Sequence, residues 1–393
     1  MYDFDSRVSR VSTGSFKHDH APEPVKNAGH IPLTIADMEL KMPSALSEAL
    51  IEAAKHGVCG YTYADDAYFE AVRGFLGRRH GFFPERESLI NTSGVVTALH
   101  MLIRALTNEN DGVIIQPPVY PPFRMAVREN GRKLLNNPLL LGEDGRYRMD
   151  FEGLEALCAR EEAKLLILCS PHNPVGRVWT LEELTRLGEI CLKHGVFVVA
   201  DEIHFDLAMF HNKHTVFSTI KGFENNCAVC TSISKTFNTA GLCCSNIFIA
   251  DKARREAFEK VADREAPFGI PYFARAATIA AYTRCDAWLD ALLSYVEGNF
   301  NTLDSFLRER LPMLRLIKPE GTYLAWVDMH ALGLDKDALE ALMLNKALLA
   351  LDEGYIFGEE GAGFERINLA LPRKELLYAL ERLEKAVFEL KSL

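Results

Sequence analysis

Lys235 stands in Ser-Ile-Ser-Lys-Thr-Phe-Asn (232–238), directly after a short apolar run. Two further polar residues stand in similar places: Asn173 in Ser-Pro-His-Asn-Pro-Val-Gly (170–176) and Asp201 in Val-Val-Ala-Asp-Glu-Ile-His (198–204). An amine, an amide and an acid, each predicted to follow a buried strand, suit an aldehyde cofactor with a ring nitrogen, pyridoxal phosphate (PLP). In that chemistry Lys235 forms the Schiff base and, once substrate displaces it, is the base for the Cα proton. Asp201 favours the protonated ring nitrogen, whose positive charge draws off electrons when a bond at Cα breaks. Asn173 donates to the phenolic oxygen of the ring. Each residue also has an ordinary use: Asp201 as a helix cap, Lys235 on a solvated surface, Asn173 in an Asn-Pro turn. The separations of 28 and 34 residues suit successive strand–helix–strand units. In an open α/β sheet, ligands bind beyond the carboxyl ends of the strands, so the three together point to one site.

The phosphate needs a cradle. Ser93-Gly94-Val95-Val96 opens a predicted helix, and the free amides of such an end attract anions. Ser232 and Ser234 add hydroxyl donors. Tyr120, in Pro-Pro-Val-Tyr-Pro-Pro, can stack on the ring, and Arg366, in Gly-Phe-Glu-Arg-Ile-Asn, can grip a carboxylate in a two-point fork. The ordinary readings are a plain N-cap at Ser93, a buried aromatic in a proline-rich turn, and an arginine on a surface strand. Cys227-Ala-Val-Cys230 has zinc-like spacing, but strand alternation points the two thiols to opposite faces and no second cysteine pair completes a site, so no metal is expected.

Short runs rich in Val, Ile and Leu predict buried strands at Val113–Gln116, Leu165–Cys169, Val196–Ala200, Ala228–Ile233 and Asn246–Ala250. Helices are predicted near 44–56, 65–80, 95–106, 181–194 and 373–391. The fourth is marked by a capping box of Thr180 and Glu183, with Gly195 as its stop. Strand alternating with helix implies an α/β fold with a mostly parallel sheet between helices. After about residue 290 the pattern changes to helices around a hairpin-like section at 314–329. A large domain over 46–285 is expected, with a smaller α+β domain formed by 1–45 and 286–393.

The chain has 393 residues, enough for two such domains, with 48% hydrophobic and 25% charged residues. A net charge of −10 argues against a nucleic-acid footprint, which needs a clustered basic surface. No apolar run is long enough to span a membrane and the first residues lack a signal peptide's apolar region. Nine scattered cysteines suit free thiols in a reducing cytoplasm.

Taken together, these motifs resemble fold-type I PLP enzymes, the aspartate aminotransferase superfamily. Within it the chain is most similar to the MalY/PatB-type cystathionine β-lyases and cystalysin-like cysteine C–S lyases. The resemblance runs over nearly the whole chain. It includes Ile-Ala-Asp-Met-Glu (35–39), Gly-Tyr-Thr (60–62), Gly-Val-Ile-Ile-Gln-Pro-Pro-Val-Tyr (112–120), Asp-Glu-Ile-His-Phe-Asp (201–206), Ser-Lys-Thr-Phe-Asn (234–238), Gly-Thr-Tyr-Leu-Ala-Trp (321–326) and Asp-Glu-Gly-Tyr-Ile-Phe-Gly (352–358). It implies a large PLP-binding domain with a seven-stranded-type sheet. It implies Lys235, Asp201 and Tyr120 in catalysis, with Gly94, Val95, Asn173, His204, Ser232 and Ser234 also at the cofactor. Arg366, Asp37 and Tyr323 fall to the substrate. Tyr61 would reach the phosphate of a neighbouring subunit, which implies a homodimer with shared sites. The implied reaction is α,β-elimination from L-cystathionine, L-cysteine or S-substituted cysteines, giving a thiol or sulfide, pyruvate and ammonia. An aminotransferase on the same scaffold, and a protein-binding regulator with secondary lyase activity, are the alternatives. Two positions depart from the relatives. Pro121 stands where many have a second tyrosine, and Cys243 where many aminotransferases carry a phosphate-binding arginine.

Overall fold

The computed structural model describes residues 2–265 and 269–391. Its centre is a seven-stranded sheet of β1 (Leu89–Thr92), β2 (Gly112–Ile115), β3 (Lys133–Asn136), β4 (Ala163–Cys169), β5 (Phe197–Asp201), β6 (Cys227–Thr231) and β7 (Ser245–Ile249), in the order β1-β7-β6-β5-β4-β2-β3. Strands buried on both faces need apolar residues along most of their length, and β2, β5, β6 and β7 are buried throughout. The period of two divides them between two cores. Leu166, Leu168, Val198, Ala200, Cys227 and Val229 face one side. Leu165, Ile167, Phe197, Val199, Ala228 and Cys230 face the other. Cys227 and Cys230 therefore lie on opposite faces of their strand.

The predicted central strands are all present, and the sheet is mostly parallel. One strand departs: β7 pairs antiparallel with both β6 and β1. The link 232–244 holds only a one-turn helix and a 3-10 turn, with no helix long enough to cross the sheet face as a parallel connection usually does. The sequence reading did not include the edge strands β1 and β3.

Helices α1 (Ser44–Lys55), α2 (Asp66–His80), α3 (Val95–Leu106) and α4 (Leu181–Lys193) form where their signals predict. The Asp65 carboxylate accepts the Tyr68 amide at 3.1 Å to start α2. The Thr180–Glu183 capping box starts α4, with bonds of 2.9 and 3.2 Å. Next comes the single turn α5 (Ile233–Thr236), then α6 (Lys252–Glu265), α7 (Tyr272–Arg284), α8 (Asp286–Arg310) and α9 (Arg373–Lys391). Helices α3 and α6 cover one face of the sheet, burying Leu99, Leu102 and Phe258. Helices α2, α4 and α7 cover the other through Phe75, Leu187 and Tyr282.

A second, four-stranded antiparallel sheet joins β8 (Arg315–Leu316), β9 (Leu324–Asp328), β10 (Asp352–Glu353) and β11 (Phe364–Asn368), in the order β8-β9-β11-β10. The β8–β9 pair is the predicted hairpin-like section. The N-terminal arm lies against this part of the chain: Leu33 donates to the Ala350 carbonyl and accepts from the Asn368 amide, both at 2.9 Å.

Candidate active site

Strands β4, β5 and β6 run parallel and in register, with Cys169 beside Asp201 and Asp201 beside Cys230. Whatever follows their last residues must therefore gather at one edge of the sheet. Asp201 is itself the last residue of β5. Asn173 follows β4 after a turn, and Lys235 is carried on α5 directly after β6. These three line a single cavity of about 260 Å³, which Gly94, Val95, Tyr120, His204 and Ser234 also wall.

Burial dominates the electrostatics. It pushes the Asp201 carboxyl up to about 7, against the Ile203 amide that donates to it at 3.1 Å and the nearby Lys235. It pushes the Lys235 ammonium down to about 8, although Asp37 and Asp201 pull the other way. The amine donates to the Ala36 carbonyl at 2.7 Å, an acceptor that Tyr323 shares through its hydroxyl at 2.9 Å. His204 is buried and driven well below its ordinary range by desolvation, with Lys235 and Arg366 adding to it, so its ring is neutral.

Several cavity groups lack partners. The His204 Nδ1 and Ser245 Oγ atoms are buried with no hydrogen bond among the described residues. Gly94, with φ +149°, precedes α3 and offers no side-chain cap, so among the described residues no side chain caps the first amides of α3. Asn173 is oriented by its neighbour: its Oδ1 accepts from Arg366 Nη1 at 2.9 Å, which leaves its NH₂ as the available donor.

The other expected residues stand outside the cavity wall. Ser232 caps α5, accepts the Ser234 amide at 3.1 Å and donates to the Cys244 carbonyl at 2.7 Å, so its proton is committed to the backbone. Ser234, whose Oγ lies 2.6 Å from that of Ser232, is the one that lines the cavity. Arg366 sits behind Asn173, 4% exposed and paired with Asp352, with its Nε unpartnered. The Asp37 carboxylate is bonded by Arg10 at 2.7 Å and approached by Lys17 at 3.4 Å. Tyr61 is 87% exposed.

Sequence reasoning missed Ala36, Thr97, Cys169, Ile203, Ala240 and Ser245 on the wall. Of these only Ser245 carried a legible signal, a polar residue beside a buried strand. Cys243, noted above as a departure from the aminotransferase pattern, also lines the cavity.

The aminotransferase class I and II family model matches residues 29–383. The cystathionine β-lyase PatB of Bacillus subtilis (strain 168) is 42% identical over 385 residues, covering 98% of this chain and 99% of that protein. The crystal structure of cystalysin from Treponema denticola, which contains a PLP cofactor, superposes with a TM-score of 0.94 at 39% identity, covering 99% of this chain and 100% of that one. A PLP-bound C–S lyase from Staphylococcus hominis gives 0.92 at 31% identity, covering 98% of each. With a match this long and relatives alike from end to end, the chain belongs to the aminotransferase class I and II family.

Proposed function

We propose that the protein is a PLP-dependent carbon–sulfur β-lyase. It cleaves L-cystathionine, L-cysteine or S-substituted cysteines to a thiol or sulfide, pyruvate and ammonia. The observation that carries this reading is the meeting of a buried amine, Lys235, and a buried acid, Asp201, in one cavity beside the uncapped start of α3. The PatB relative, named a cystathionine β-lyase, and the structural neighbour named a C–S lyase support the choice of reaction.

The residues fit the cofactor chemically. Asp201 offers a carboxylate for a ring nitrogen, Asn173 an NH₂ donor for a phenolic oxygen, and Tyr120 a ring face. The amides of Gly94 and Val95 with Ser234 offer donors for a phosphate, and Ser232 holds Ser234 in place. The unpartnered His204 and Ser245 atoms support a polar occupant. When bound, PLP supplies an aldehyde that takes up an amine and a ring that draws off the charge left at the substrate Cα.

The remaining work falls to side chains. Lys235 Nζ, lowered to about 8, holds a usable neutral fraction near pH 7 and takes the Cα proton. The sulfur leaves from Cβ with its bonding electrons and acquires a proton, and one water completes pyruvate and ammonia. Arg366, braced by Asp352 and Asn173, grips the α-carboxylate. Tyr323 stands behind Lys235 through Ala36, and Asp37 adds negative charge near the amine. The exposure of Tyr61 supports a homodimer in which it serves the partner's site. The nine free cysteines support a reducing, cytoplasmic setting.

Purified protein incubated with L-cystathionine or L-cysteine should release thiol or sulfide together with pyruvate. Lys235→Ala should lower that rate by at least about 10²–10⁴-fold. Absence of both products rejects the lyase reading. Conversion of an added keto acid to its amino acid, with no thiol released, assigns an aminotransferase instead.

A further inference from the structure

The N-terminal arm forms one wall of the site through Ala36. Its Ala36 carbonyl receives two donors, Lys235 Nζ at 2.7 Å and the Tyr323 hydroxyl at 2.9 Å. The preceding residue, Ile35, has φ +43°. A β-branched residue in the left-handed region is strained and persists only where its surroundings hold it. The holding bonds are numerous. Asp352 Oδ2 accepts the Ile35 amide at 3.1 Å, and Asn368 donates to the Ile35 and Asp37 carbonyls at 2.8 and 2.7 Å. Asn238, three residues past Lys235, accepts the Met38 amide at 2.9 Å and donates to the Met38 and Leu40 carbonyls at 3.0 and 2.9 Å.

Beside this turn lies a buried ion cluster. Glu39, 3% exposed, meets Arg10 at 2.9 Å, Lys17 at 3.0 Å and His18 at 2.9 Å. Arg10 and Lys17 also reach Asp37. Burial opposes ionisation of Glu39, but His18, Lys17 and Arg10 outweigh it and hold the carboxyl down to about 2. A buried carboxylate held by two cations, Arg10 and Lys17, and an imidazole nitrogen of His18 fixes backbone geometry at a desolvation cost, and removing one member leaves the others uncompensated.

We propose that the turn Ile35–Asp37 is a docking post for the Lys235 amine and that Glu39 is the positioning residue that holds the post in place. The inference rests on the reading of Lys235 as the reacting amine. Whenever that amine is not covalently engaged, the Ala36 carbonyl takes one of its hydrogens and orients the rest of the group toward the cavity. Tyr323 occupies the carbonyl's second lone pair and stops it from turning away. Because Asp352 bonds both Ile35 and Arg366, the same turn keeps the amine in register with the carboxylate clamp.

Glu39→Gln keeps the shape and removes the charge. In the holoenzyme it should lower kcat about 5- to 20-fold while KM stays within twofold, because Arg366 keeps its own partners. The same substitution placed in Lys235→Ala, with turnover restored by added ethylamine as a free base, should change the restored rate less than twofold. In the cofactor-free protein, Lys235 should react several-fold faster with an amine-directed acylating reagent, read by mass spectrometry. Arg10→Met, at a more exposed member of the cluster, should move kcat and labelling the same way by less, and it decides the matter if Glu39→Gln does not fold. An equal loss with and without the lysine marks Glu39 as merely structural and overturns the proposal. Unchanged kcat and labelling in folded variants overturns it too. Full activity of Lys235→Ala would instead refute the assignment of Lys235 itself, whatever Glu39 does.

Discussion

Replacing Asp201 by Asn should stabilise the cofactor-free protein while disabling the enzyme. In the folded chain, burial raises this carboxyl from 3.8 to about 7. The folded state then binds the proton more tightly than the unfolded state. Its contribution to stability is complete below pH 4 and is lost as pH rises toward and through 7. The full span is about 3 pH units, or roughly 4 kcal/mol as a ceiling. Between pH 5 and pH 8 the loss amounts to about 2–3 kcal/mol. Asn does not titrate and keeps an oxygen for the Ile203 amide, the bond that holds the side chain at 3.1 Å. The stability of the variant relative to wild type should therefore grow by that amount between pH 5 and pH 8. Any constant difference between Asp and Asn cancels in the comparison. Urea unfolding of the cofactor-stripped proteins at both pH values measures it. The holoenzyme variant should lose roughly 10²–10³-fold in kcat, because a neutral amide cannot supply the charge opposite the ring nitrogen. A stability difference that stays flat with pH would refute the claim that burial controls this acid. Full activity would refute its role.

Three further outcomes are expected. Arg366→Lys keeps the charge but not the fork, so kcat/KM should fall about 10- to 100-fold, mainly through KM; an unchanged KM removes Arg366 from the carboxylate. Gly94→Val introduces a side chain at φ +149°, a strained backbone conformation for any L residue, with nothing within 4 Å of the new Cβ. At about 1–3 kcal/mol it should weaken PLP retention roughly 5- to 100-fold by spectral titration, and unaltered retention would show that the start of α3 does not hold the phosphate. Mixing inactive Lys235→Ala with inactive Tyr61→Ala subunits should restore about a quarter of wild-type turnover if each site borrows the partner's tyrosine, whereas no recovery would argue for self-contained sites.

The legible parts of this molecule are those in which residue type and local spacing do the specifying. Buried strands are apolar along most of their length, so β2, β4, β5 and β6 announce themselves, and the polar residues that end or follow them mark the sheet edge where Asn173, Asp201 and Lys235 meet. The Thr180–Glu183 capping box is legible for the same reason, since both partners are three residues apart. Strand direction is a different kind of information. The apolar run of β7 reads the same both ways, and only the absence of a full helix from the link 232–244 betrays that it is reversed. The edge strands β1 and β3 are short and partly polar, so no period stands out.

The arm was the least legible part. The group that meets Lys235 is the backbone carbonyl of Ala36, 199 residues away in sequence, and a carbonyl is common to every residue type. Asp37 shows the same limit from the other side: its type suits a role at the site, yet its carboxylate is engaged by Arg10 and Lys17 from its own arm. An isoleucine gives no hint that it will be held at φ +43°, because its own propensity opposes that conformation. The conformation is imposed by Asp352 and Asn368 from the second sheet, while Asn238 fixes the chain just beyond it. Where local preference and long-range bonds disagree, the bonds decide, and here the disagreement falls at the residue next to the one that holds the reacting amine.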